Sequence, residues 1–194
     1  MTPRKKQSME TKQKIFDTAI QLFSSEPFEQ VTINRICKDA GVTTGAFYHH
    51  FQSKEEILMI QYDNVDQTFS SLLEDLSCET YVEKLCEYIG YYAQSAKNDG
   101  PATVTEVYRM WLVVKKDFPF SYTQGFAGGL FHLVELAIRN GELAPDTEVY
   151  DLVMDLMTLV RGVIYNWCQQ QGSFDVVQRS TRMTKTYLSS YICT

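Results

Sequence analysis

The chain has 194 residues, 44% of them hydrophobic and 22% charged, enough length and apolar content to bury a core and too much to stay disordered. With only 10 Gly and 5 Pro it is a poor candidate for a turn-dense all-β protein. The formal net charge of −6 is uneven. Residues 1–62 hold eight Lys/Arg against seven Asp/Glu, and residues 63–194 hold ten against seventeen. An acidic body with the run Arg4-Lys5-Lys6 at its head offers one end to a polyanion, the alternative being a solvated terminus.

Met1 to Met9 is basic and polar and leads into no apolar run, so no secretory signal is expected and a cytoplasmic location is. Ile15, Phe16, Ala19, Ile20 and Phe23 recur at helical spacing and predict a first helix, broken between Ser24 and Gln30 around Pro27. Thr32 is placed to cap a short second helix burying Ile33, Ile36, Cys37 and Ala40, and Gly41 to stop it in a left-handed conformation. Thr43 or Thr44 caps a third helix through Phe47, Tyr48 and Phe51. Ser53 and Glu56 form a capping box opening a long fourth helix with Ile57, Leu58, Ile60, Val65, Phe69 and Leu72. Tyr81, Leu85, Tyr88, Ile89 and Tyr92 then line one face up to Gly100-Pro101, and Val104 to Val114 and Phe126 to Ile138 read as two more helices. The longest segment is expected to begin at Pro145-Asp146 and reach about Gln171, and the last to end near Ile192. Within the longest, Leu152 to Trp167 carries Asp155 and Arg161, which argues against a membrane span. No strand alternation or internal repeat is visible. The expected fold class is all-α.

The stretch Val31 to Leu58, VTINRICKDAGVTTGAFYHHFQSKEEIL, sets two short helices either side of a tight glycine turn, the pattern of a helix-turn-helix whose second helix enters the major groove. Thr43 and Thr44 offer hydroxyls for a phosphate, and Gly45 lets backbone approach DNA closely. Tyr48 and His50 are expected on phosphates and His49 in the groove. Lys54 is expected as a phosphate clamp, while Thr32 and Asn34 open the helix that straddles the backbone. Phe47 and Phe51 are expected in the core. Successive helical residues point about 100° apart, so His49 and His50 are not expected to share a metal.

The segment from about Lys12 to Leu58 resembles the N-terminal domain of the TetR (tetracycline-repressor) family. The resemblance rests on Leu22-Phe23, Thr32-Ile33-Asn34-Arg35-Ile36, Ala40 through Phe51, and Lys54-Glu55-Glu56-Ile57-Leu58. It covers roughly a quarter of the chain by motif. Glu26-Pro27 departs from the family's usual Gly before an aromatic, and Ala46 stands where Thr or Ser is common. The resemblance implies a homodimer that reads a palindromic double-stranded operator with its two third helices, usually as a repressor, and releases it when an inducer enters the C-terminal domain. An activator or corepressor-dependent member of the same fold is the alternative. The expected division is residues 1–54 for DNA and 55–194 for ligand binding and dimerisation.

Tyr108, Met110, Trp111, Phe118, Phe120, Tyr122, Phe126, Phe131 and His132 crowd into twenty-five residues. Tyr108, Trp111, Phe118, Tyr122, Phe126 and His132 are expected to line a pocket for a small-molecule effector, the alternative being an aromatic-rich core. Glu106 and Arg109 either orient a charged ligand or form a surface pair. The long eighth helix is apolar on more than one side, and Leu156, Leu159, Val160, Val163 and Trp167, with Met183 and Tyr187 of the last helix, are expected in an isologous dimer interface; an intrachain core is the competing explanation. An enzyme is disfavoured: there is no Gly-rich phosphate loop, no nucleophile–base pair at motif spacing, and no metal-ligand cluster. Cys37, Cys78, Cys86, Cys168 and Cys193 form an odd set without a C-x-x-C pair and are expected as reduced thiols. No cofactor, metal or membrane partner is expected. An adaptor that had lost DNA recognition would show a degraded third helix, and residues Thr44 to His50 are intact.

Overall fold

The computed structural model describes residues 2–113 and 125–192, apart from the side chains at 65, 67 and 113. Among the described residues the chain is all-α, with nine helices, two single 3-10 turns and one isolated antiparallel bridge between Leu143 and Ile192. It divides into two compact units, Met1–Asn64 with Ala102–Lys115, and Val65–Pro101 with Lys116–Thr194.

The first unit is built from α1 (Pro3–Ser25), α2 (Ile33–Ala40), α3 (Thr44–His50), the start of α4 (Lys54–Leu72) and most of α6 (Pro101–Val113). α1 begins well before its amphipathic stripe, with Pro3 at the first helical position, where its missing N–H costs nothing. The stripe buries Ile15, Ala19, Leu22 and Phe23. These pack with Phe28, Val31, Ile36, Cys37, Phe47, Phe51, Ile57 and Leu58 in one core, which Val107 and Met110 of α6 complete. The Thr103 hydroxyl donates to the Phe23 carbonyl at 3.2 Å, so α6 also closes an orphan acceptor near the end of α1.

The second unit holds the remainder of α4, then α5 (Tyr81–Asp99), α7 (Gly125–Arg139), α8 (Val149–Gln169) and α9 (Val176–Leu188). α5 is central, packing against α9, α7 and α8. Thr80 and Glu83 form a capping box at its start, and the Glu142 carboxylate accepts from the Tyr81 and Val82 amides at 3.0 and 2.9 Å. An aromatic layer runs through the unit: Phe126 stacks on Tyr92 (centroids 4.1 Å apart) and Tyr88 (5.2 Å), and Phe69 meets Phe126 edge-on. α8 starts at Val149 rather than at Pro145-Asp146. Those residues form a turn in which the Thr147 amide donates to the Ala144 carbonyl, while the Ala144 amide donates to Tyr191. α9 is capped by Asp175 and ends at Leu188, a turn short of Ile192. Among the described residues no helix is long and apolar enough to cross a membrane.

Candidate nucleic-acid interface

Local chemistry fixes α2 and α3. The Thr32 hydroxyl accepts the Arg35 amide at 3.1 Å and the Thr43 hydroxyl accepts the Ala46 amide at 3.1 Å, so Thr43 rather than Thr44 caps α3. Between the helices Gly41 has φ +62 and ψ +39, and its amide and that of Val42 return to the last α2 carbonyls. The Ser53 hydroxyl accepts the Glu56 amide as expected, but the Glu56 carboxylate reaches past Ser53 to the Gln52 amide at 2.6 Å.

The seven residues of α3 divide cleanly. Phe47 is fully buried and, with Phe51, anchors the helix to the core, while Thr44, Gly45, Tyr48 and His49 face outward, Tyr48 with 59% of its surface exposed. A Cβ on Gly45 would meet only the Thr43 hydroxyl, at 3.8 Å, so the chain's own packing does not require glycine there. Thr43 and Asn34 are exposed beside this face, as is the Thr32 cap. His49 is exposed and His50 half-buried, yet their rings meet edge-on with centroids 4.9 Å apart. Burial, then His49, then Lys12 hold the His50 imidazole below its usual pKa, so it is neutral at pH 7. Arg35, on α2, is taken up by Asp39 at 2.6 Å and Glu26 at 3.4 Å. Glu26, which departs from the family pattern, therefore draws Arg35 toward the turn after α1.

Lys54, expected as a phosphate clamp, already has partners within the chain. Its ammonium donates to the carbonyls of Phe28 at 2.6 Å and Val31 at 2.8 Å and lies 4.2 Å from the centre of the Phe28 ring. Two of its three protons are thereby committed to the segment leading into α2. Nearby, the Glu29 carboxyl lies below its usual range, chiefly through a backbone hydrogen bond and then through Glu106, with Lys54 and Arg109 adding to the effect. Glu106 is buried and pairs with Arg109 at 2.7 Å, which answers the choice between ligand anchor and surface pair with a half-buried ion pair inside the first unit.

The residues expected to line one effector pocket are not gathered in one unit. Tyr108 and Trp111 belong to the first, where Trp111 packs on the core and meets Tyr62 and Tyr108 edge-on. Phe126 lies in the second unit's aromatic layer. His132 is exposed, because α7 turns Phe126, Leu130, Leu133, Val134 and Ala137 inward and His132 falls on the opposite face. Phe118 and Tyr122, with Phe120, lie outside the described residues.

Four of the residues expected at a dimer interface are core within one chain: Leu156, Val160, Val163 and Trp167 are at most 5% exposed. α5, α7 and α9 surround α8 on that side and take up the stripe. Leu159 and Tyr187 are half-buried and Met183 is exposed, so these three remain available. Asp155, Thr158, Gly162 and Tyr165 are exposed beside them on α8.

Residues 15–59 match the family described as bacterial regulatory proteins, tetR family. The HTH-type transcriptional regulator AcrR of Shigella flexneri is 42% identical over 207 residues, covering 97% of this chain and 92% of that protein. The HTH-type transcriptional repressor BepR of Brucella suis is 24% identical, covering 98% and 96%. In fold the chain resembles the transcriptional regulator FadR from Bacillus subtilis, solved in complex with stearoyl-CoA, with a TM-score of 0.68 over 93% of this chain and 99% of that one, at 20% identity. By its helix-turn-helix and its match to AcrR along nearly the whole length, the chain belongs to the TetR family of DNA-binding transcriptional regulators, which are not enzymes.

Proposed function

We propose that this regulator is a homodimeric repressor whose two α3 helices read the halves of a palindromic operator, and which releases it when a small molecule enters the second unit. The observation that carries this is the split face of α3, with Phe47 locked in the core and Thr44, Gly45, Tyr48 and His49 presented together to solvent. His49 reads a base edge; Thr32, Asn34, Thr43, Thr44, Tyr48 and His50 hold phosphates; Gly45 lets the backbone close in. Lys54 acts behind them, setting the segment before α2. Repression accords with the named activity of BepR. The effector is taken by the second unit, near the Tyr92 hydroxyl, which burial holds above its usual pKa and which lies within the influence of Arg161 and Asp66. The outward faces of α8 and α9 join two copies. Gly162 sits in the middle of α8 with no described atom within 4 Å of where its Cβ would stand. A mid-helix glycine costs about 0.5–1 kcal/mol relative to alanine, and close approach of a partner helix at this point accounts for it.

Two measurements test the proposal. Sedimentation and fluorescence anisotropy on a duplex selected from random sequence by the full chain are expected to show a dimer on a palindrome. Gly162→Trp should give folded monomers that bind at least tenfold more weakly; a Gly162→Trp dimer of unchanged affinity moves the interface elsewhere. pH supplies the second. His50 is held neutral in the free chain, and a phosphate beside it favours the imidazolium, so its pKa is higher in the complex than out of it. Binding then takes up a proton, and affinity should rise as pH falls from above neutrality toward the pKa of the free group, by at most about tenfold per unit for each His50 engaged. His50→Gln should flatten that rise, and an equally steep profile in the variant would remove His50 from the phosphate.

A further inference from the structure

The exposed start of α1 carries charge with no role in the α2–α3 interface described above. α1 begins at Pro3, yet its first buried residue is Ile15. At 1.5 Å per residue, Arg4 stands roughly 12 Å along the helix from Lys12. Two contacts fix where this overhang leaves the first unit. The Lys12 ammonium lies 5.5 Å from the centre of the Phe51 ring and near enough to His50 to help depress its pKa. The Lys14 ammonium comes within 3.6 Å of where a Cβ on Gly41 would stand. α1 therefore passes the turn before α3 and the end of α3, and its first two turns continue beyond the latter.

The overhang is sided. Arg4 extends, at helical spacing, the row Ser8, Thr11, Ile15, Ala19 and Leu22, which meets the core. Lys5 extends the row Met9, Lys12 and Phe16, which walls a cleft of about 270 Å³ against Phe51 and Ile60. Both rows face the helices of the DNA-reading head, and where the core stops they end in two cations. Arg4 and Lys5 are exposed and have no carboxylate partner among the described residues, and the first turn of α1 holds no acidic residue. Lys6, one position on, lies instead 3.9 Å from Glu10. Two cations without a carboxylate partner on a helical arm that runs roughly 12 Å past the end of α3, about the rise of four base pairs, can reach phosphates that α3 does not.

We propose that Arg4 and Lys5 bind the DNA phosphate backbone flanking each half-site, about four base pairs beyond the segment read by α3. This rests on the DNA-binding role assigned to α3. The test uses the full chain and a duplex selected from random sequence, with anisotropy measured against salt. Arg4→Ala with Lys5→Ala should lower the salt slope by about 1.8 per protomer and weaken binding at about 0.1 M salt at least tenfold. Alanine favours helix, so the arm itself persists. On a duplex trimmed of its flanks, wild type and variant should bind alike. Lys84→Ala with Arg139→Ala, which removes the same charge from the second unit, should change neither slope nor affinity. An unchanged slope in the arm variant, an equal loss on the trimmed duplex, or an equal loss in the control pair would overturn the proposal. Wild type that binds no duplex at low salt would instead overturn the DNA-binding role itself, and the arm's role with it.

Discussion

Gly129→Ala is expected to destabilise the second unit by about 3 kcal/mol. A Cβ at this position of α7 would stand 2.1 Å from the Tyr88 hydroxyl oxygen, 2.4 Å from Cζ and 2.8 Å from Cε1. Tyr88 has nowhere to retreat. Its ring is fully buried, stacked on Phe126 and edge-on to Phe69, and its hydroxyl donates to the Phe69 carbonyl at 3.2 Å with the Gly125 carbonyl at 3.4 Å. Moving the ring gives up that hydrogen bond and disturbs the aromatic layer, and the helix-propensity gain of about 1 kcal/mol for alanine offsets only part of the loss. Urea unfolding should show a lower midpoint, partly restored when Tyr88→Leu is added to make room. A midpoint equal to wild type would mean that the α5–α7 contact is looser than the geometry describes.

Lys54→Met should lower the thermal midpoint of the first unit and weaken binding to every DNA sequence by more than tenfold. The ammonium makes two charge-assisted bonds to carbonyls and a cation–π contact, and its half-buried setting discounts their joint worth to about 2–3 kcal/mol. Methionine keeps the stem and removes the charge. The carbonyls of Phe28 and Val31 then lose their donor just before the Thr32 cap, and the entry to α2 loosens. Hydrogen exchange separates this from a direct phosphate contact. The α2 amides should exchange faster in the free variant, whereas loss of a clamp alone would leave the free protein unchanged and only flatten the salt slope.

Local chemistry was legible in the sequence. Thr32 as a cap, Gly41 as a left-handed stop, Ser53 before Glu56, and Phe47 and Phe51 as anchors each follow from one or two neighbouring residues. What depends on distant partners was not. The role of Lys54 was hidden because its acceptors are backbone carbonyls more than twenty residues upstream, and carbonyls leave no trace in a sequence. The early start of α1 was hidden because apolar spacing marks a helix only where it touches something, and residues 3–14 bury little. Along α8 the sequence showed more apolar surface than one face needs, without saying which part the chain itself would consume. Packing from α5, α7 and α9 consumed Leu156, Val160, Val163 and Trp167. The aromatic crowd from Tyr108 to His132 was close in sequence, yet Tyr108 and Trp111 fall in one unit and Phe126 and His132 in the other, a division that chain order does not show.

The place of α6 in the first unit bears on how the protein is made. Val107 and Met110 are core residues of the helix-turn-helix head, and Thr103 closes a carbonyl of α1, yet all three lie beyond α5 in the chain. On the ribosome the head cannot finish folding when residue 64 emerges. It must wait, with part of its apolar surface uncovered, until α5 and then α6 have been synthesised. A fragment cut after α4 would carry the same open seam for good, and a nascent chain stalled between α4 and α6 would be the form most in need of a chaperone.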